Sequence, residues 1–173
     1  MNKKILLLAF TIIVCNYSFG QYNPKLDEKN GFRTFKFGDL ISKYKGKIKQ
    51  TYSNYYEYTY PQPNSVFDEK WDNLVLQFFD NKLGYIQVQF KSNNEYLYTS
   101  LLRNLEVVFG ESNPCPNSKL VELKEVHRNQ WEGENVDMAL FMYNESSEIK
   151  GDYYINIIIR NKNIIKSSLD NQF

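Results

Sequence analysis

A single histidine and two cysteines leave this chain poorly equipped for the commonest site chemistries. A zinc site needs three or four His, Cys or carboxylate ligands brought together. A disulfide framework needs a partner for Cys115, yet the other cysteine, Cys15, lies in the N-terminal apolar run. Stability must then come from a core rather than from cross-links. A basic excess is also missing, with 21 Lys and Arg against 20 Asp and Glu, so a nucleic-acid or anionic-membrane surface is not indicated. No G-x-S-x-G, Walker loop, G-x-G-x-x-G or H-E-x-x-H occurs, which closes the motif-based routes to hydrolase, nucleotide and metalloprotease functions. No cofactor and no metal is implied. The longest apolar run, Ile5 to Cys15, is about half of the roughly 20 residues that cross a bilayer as a helix.

That short run is nevertheless informative. Lys3 and Lys4 precede it and Ser18-Phe19-Gly20 follow it, the arrangement of a secretory signal peptide with small residues at −3 and −1 of the cleavage site. The expectation is a signal peptide at 1–20, cleavage before Gln21, and a periplasmic or secreted mature protein without a transmembrane span. A lipid anchor at Cys15 is the alternative, although Ile12-Ile13-Val14 lacks the small residue that normally precedes a lipidated cysteine. Roughly 150 residues remain, enough for one domain with a real core and too few for two.

Residues 21–30 read as a flexible polar lead, residues 31–160 as one domain and residues 161–173 as a tail. Phe35-Lys36-Phe37 reads as a short strand, followed by a helix from Gly38-Asp39 to Tyr44. Lys43, Lys45, Lys47 and Lys49 form a solvated basic face at a helix end or strand. From Thr51 to Tyr60 the pattern alternates, which predicts a strand with Tyr56, Tyr58 and Tyr60 on one side and Tyr55 and Glu57 on the other. Gln62 to Lys70 reads as a loop. Leu74 to Phe79 and Leu83 to Phe90 bracket a turn at Asp80-Asn81-Lys82 as a hairpin, with Tyr85, Gln87 and Gln89 on its wet face.

Ser92-Asn93-Asn94-Glu95 has the spacing of a capping box, and the stripe Leu101, Leu102, Leu105, Val108 and Phe109 predicts a helix lying on a sheet, stopped by Gly110. The segment from Leu120 to Trp131 favours a strand, and Val136 to Tyr143 and Tyr153 to Arg160 complete a meander whose last strand is central. The fold class is therefore α+β, an antiparallel sheet with two helices on one face. The element order also admits a tandem α-β-β-β repeat.

Phe35-Lys36-Phe37-Gly38 and the Phe78-to-Ile86 hairpin resemble a broad set of small exported bacterial proteins, themselves uncharacterised, that share an F-x-F-G start. At fold level the helix-plus-meander order is similar to the beta-lactamase-inhibitor-protein-like architecture, which implies protein binding by analogy. No functional residue is carried over.

Three surfaces remain as candidates. Glu132, Glu134, Asn135 and Asp137 crowd a glycine turn that could hold calcium or be a solvated hairpin tip. Cys115, between Pro114 and Pro116, is either a loop thiol or an intermolecular link. Tyr56, Tyr58 and Tyr60 are the strongest candidates, because Tyr joins a flat apolar face to a polar tip. On the same strand such rings also serve as core. The expected function is a non-enzymatic exported module binding an envelope protein through an aromatic sheet face. A glycan or small-ligand binder is the alternative, with a small hydrolase third.

Overall fold

The computed structural model describes residues 23–59, 65–114, 124–144 and 153–171. The signal segment, Cys15, Tyr60 and Cys115 lie outside the described residues. Among the described residues no helix is long and apolar enough to cross a membrane.

The fold is α+β. Helix α1 (Pro24–Lys29) leads into a small hairpin of β1 (Gly31–Phe32) and β2 (Phe35–Lys36), then a 3-10 turn at Ile41–Tyr44. Next come β3 (Ile48–Tyr52), β4 (Tyr55–Tyr58), the small hairpin β5 (Ser65–Val66) and β6 (Glu69–Lys70), and the long pair β7 (Asn73–Phe79) and β8 (Lys82–Ser92). Helix α2 (Tyr96–Phe109), β9 (Asn113–Pro114), β10 (Lys124–Glu132), β11 (Val136–Asn144), β12 (Tyr153–Asn161) and α3 (Lys162–Asp170) complete the chain.

Eight strands form one sheet in the order β3-β4-β7-β8-β12-β11-β10-β9, and every pairing is antiparallel. Two meanders, β4-β7-β8 and β10-β11-β12, thus meet through their last strands, β8 against β12. The strand order is thus symmetric about the β8–β12 pair. Asp80 and Asn81, both at positive φ (48° and 65°), make the tight β7–β8 turn, one residue shorter than expected because Lys82 already pairs with Phe79.

One face of the sheet is apolar throughout. Leu74, Leu76, Ile86, Val88, Phe90, Leu140, Met142, Ile155 and Ile157 are buried there with Leu101 and Leu105 of α2. Tyr98 donates to Asn129 Oδ1 (2.6 Å) and Trp131 donates to the Gly110 carbonyl (2.8 Å), fixing α2 over β10 and β11. The other half of this face is covered by Phe35, Phe37 and Tyr44 from the N-terminal segment.

Several expectations change. Within the lead expected at 21–30, Pro24–Lys29 is a helix capped by Asn23, with Leu26 buried in the core. The expected strand Thr51–Tyr60 is split by a turn at Ser53-Asn54, because Ile48–Tyr52 folds back as an edge strand on Tyr55–Tyr58. Within the expected loop Gln62–Lys70, β5 and β6 pair as a short hairpin. The capping box does not form. Ser92 Oγ instead bonds within its own turn to Asn94, and Asn94 Oδ1 accepts from the Tyr96 N–H (3.0 Å), so the helix starts later. The tail carries α3, whose cap Asn161 accepts from Ile164 N–H (3.0 Å) and which returns against β7, β8 and β12.

Asp39 ties the 3-10 turn together, accepting from Lys36 N–H (3.2 Å), Lys43 Nζ (2.7 Å) and Tyr44 Oη (2.6 Å). Burial alone would raise its carboxyl, but the hydrogen bonds from Lys43, Tyr44 and Lys36 and the Lys43 charge outweigh it and hold it below the ordinary value. A carboxylate depressed in the folded state adds stability above its unfolded value, about pH 4, and loses it as pH falls through the folded value. Asp39→Asn is therefore expected to flatten the acid limb of a denaturation series run from about pH 7 to pH 3. A limb identical to wild type would remove this account.

Candidate functional site

Register decides which tyrosines meet solvent. Tyr56 pairs with Leu76, whereas Tyr55 pairs with Gln77 and Glu57 with Val75, so Tyr56 and Tyr58 share the apolar face. There Tyr58 packs edge-on to Phe35 (5.0 Å, 87°) and Tyr56 edge-on to Phe78 (5.4 Å, 85°). Both are half-buried extensions of the core. Replacing both by serine is expected to lower the unfolding free energy by about 2 kcal/mol or more, since large-to-small changes at well-packed aromatic sites cost that much. Denaturant titration checks this, and a folded double variant of wild-type stability would return these rings to the surface.

The opposite face carries a different set of side chains, legible as rows across the strands. The first row runs Glu132, Asp137, Arg160, Tyr85, Gln77, Tyr55. The second runs Gln130, Ala139, Ile158, Gln87, Val75, and the third Arg128, Phe141, Asn156, Gln89, Asn73. Tyr143, Tyr154 and Lys91 form a fourth, with Tyr143 and Tyr154 at 5.4 Å and Lys91 Nζ 5.8 Å from the Tyr154 ring. Directly opposed side chains on one face are neighbours, so this is a continuous polar and aromatic surface.

Ala139 is the small residue in this surface. With Gln130 and Ile158 beside it and long side chains in the rows above and below, it leaves a hollow of about 280 Å³ lined by Tyr85, Arg128, Gln130, Glu132, Asp137, Phe141, Ile158 and Arg160. The charges of the first row compensate one another. Arg160 Nη2 lies 3.2 Å from Asp137, and Lys162 Nζ lies 3.3 Å from Asp137 and 3.8 Å from Glu132. Burial pushes the Tyr85 phenol upward, Tyr55 adds to this and Arg160 opposes it, leaving a neutral hydroxyl that donates to Gln87 Oε1 (3.3 Å). Gln87 Nε2 in turn donates to Asn156 Oδ1 (2.6 Å). Asn156 is fully buried and its Nδ2 has no hydrogen-bond partner among the described residues, an unmet demand costing about 1–3 kcal/mol.

The Glu132-Gly133-Glu134-Asn135 turn is occupied from within the chain. Asp27 accepts from the backbone N–H of Glu134, Asn135 and Val136 at 2.7, 2.8 and 2.9 Å. Among the described residues no group of three His, Cys, Asp or Glu side chains could hold a metal ion.

Sequence reading separated the two faces of β4 and of β8 correctly, but it did not identify Arg128, Phe141, Asn156, Ile158 or Arg160 as one surface. The signal available was the polar alternation of Tyr85, Gln87 and Gln89, which marks a wet face without saying what stands beside it. No protein family, curated protein or solved structure matches the chain.

Proposed function

We propose that the chain is an exported, non-enzymatic binding module that recognises a glycan or small ligand on the face of the sheet opposite α2. The hollow over Ala139 carries this reading, because it joins an apolar floor, two aromatic rings and convergent donors and acceptors in one concavity, the composition of a ligand site. Its acids are engaged by Arg160 and Lys162, which suits them to orient a ligand rather than to shuttle protons. The breadth of the face, with polar and aromatic side chains running across several strands, favours a protein partner as the second reading. Tyr and Arg dominate such interfaces.

Sedimentation of the mature protein with purified envelope material tests the surface. Phe141→Ser combined with Tyr143→Ser is expected to abolish co-sedimentation while leaving the fold intact, as read from the near-UV spectrum. Binding equal to wild type by a folded double variant would discard this face as the recognition surface.

A further inference from the structure

We infer that the hollow over Ala139 is a subsite for one neutral pyranose ring, an inference that rests on reading the face opposite α2 as a ligand-binding surface. Size is the first argument. About 280 Å³ falls just below the range of drug-sized pockets and accommodates one six-membered ring rather than an extended chain.

Shape and chemistry agree with that size. A pyranose presents C–H groups on its ring faces and hydroxyls around its rim. Ala139 and Ile158 form an apolar floor on neighbouring strands, and the Tyr85 and Phe141 rings stand in the rows on either side. The rim has planar polar groups of both kinds. Asp137 and Arg160 form a preformed ion pair whose carboxylate accepts while its guanidinium, with five N–H groups, donates beyond Asp137. Such a pair can take two adjacent hydroxyls, one on each partner.

Charge argues against an anion. The charges lining the hollow balance, Arg128 and Arg160 against Glu132 and Asp137, so a carboxylate or phosphate finds no positive excess there and would compete with Asp137 for Arg160. A neutral polyol uses the pair without breaking it.

The test is an amide chemical-shift titration of the isotope-labelled mature protein with the methyl glycosides of glucose, galactose, mannose and N-acetylglucosamine, beside benzoate and p-cresol. At least one glycoside is expected to give saturable millimolar shifts centred on Ala139, Ile158 and Gln130. Ala139→Leu, which fills the floor, should weaken that affinity at least tenfold. Tyr85→Leu, which removes one ring, should do the same if the first variant proves unstable. Shifts from benzoate or p-cresol alone would overturn the sugar assignment while leaving the face a ligand surface. No saturable shift from any probe, or glycoside shifts unchanged in both folded variants, would overturn it as well. The wider reading then stands or falls on the co-sedimentation of the Phe141 and Tyr143 double variant.

Discussion

Leu105→Ala is expected to lower the unfolding free energy by about 2–5 kcal/mol, the range for deleting a buried leucine side chain and leaving part of its cavity. Leu105 is 3% exposed and Leu101 not at all, and both belong to the cluster that joins α2 to Leu140, Met142 and Ile157. The surface offers a built-in control. Val107, two residues along the same helix, is 78% exposed, so Val107→Ala should change stability by no more than about 0.5 kcal/mol, as ordinary surface substitutions do. Urea denaturation of the three proteins checks both numbers. Equal losses for the two variants would mean that α2 is not held through this stripe.

The contrast between Leu105 and Val107 was legible because a helix writes its buried side into the local period. The β7–β8 hairpin was legible for a similar reason, since Asp80 and Asn81 supply the positive φ values that a two-residue turn requires. The tyrosine strand shows where local reading stops. Alternation put Tyr56 and Tyr58 opposite Tyr55 and Glu57, which holds, but it does not say which side is covered. That depends on Phe35 and Tyr44, which come from the N-terminal segment, and on Phe78 from β7. The hollow lies further beyond reach. Ala139 in a strand is unremarkable until register sets Gln130 on one side and Ile158 on the other. Arg160 and Phe141 reach its rim from the consecutive strands β12 and β11, and Tyr85 from β8, more than forty residues earlier in the chain. Ser92-to-Glu95 failed for a subtler reason: the motif was present, but Asn94 supplied an alternative acceptor two residues later.

Asp27→Ala is expected to be the most damaging change of a polar residue. Its carboxylate alone accepts from three successive backbone N–H groups at the β10–β11 turn, two of them partly buried. Hydrogen bonds to a charged group contribute about 1.5–3 kcal/mol each when buried, and discounting for the exposed member leaves an expected loss of about 2–4 kcal/mol. The same contact anchors α1. Asn23 N–H donates to the Glu132 carbonyl (2.7 Å), and Asn23 Nδ2 donates to the Phe109 carbonyl at the end of α2. Gly133 makes the approach possible, because a Cβ there would stand 2.6 Å from the Val136 carbonyl oxygen and 3.0 Å from Asp27 Oδ2. Gly133→Ala should therefore reproduce most of the loss with the carboxylate still in place.

Hydrogen exchange separates a local clamp from a general weakening. In Asp27→Ala the amides of Glu134, Asn135 and Val136 should lose protection, whereas those of Leu76 and Ile86 in the β7–β8 pair should follow only the global unfolding free energy. Retained protection at the turn, with stability within about 0.5 kcal/mol of wild type, would make the contact incidental. Nothing in Pro-Lys-Leu-Asp-Glu-Lys announces that its aspartate meets a turn more than a hundred residues away. The clamp closes the N-terminus of the described chain onto the strand pair carrying Gln130, Ala139 and Asp137. Loosening it should accordingly disturb the hollow before it disturbs the far half of the sheet.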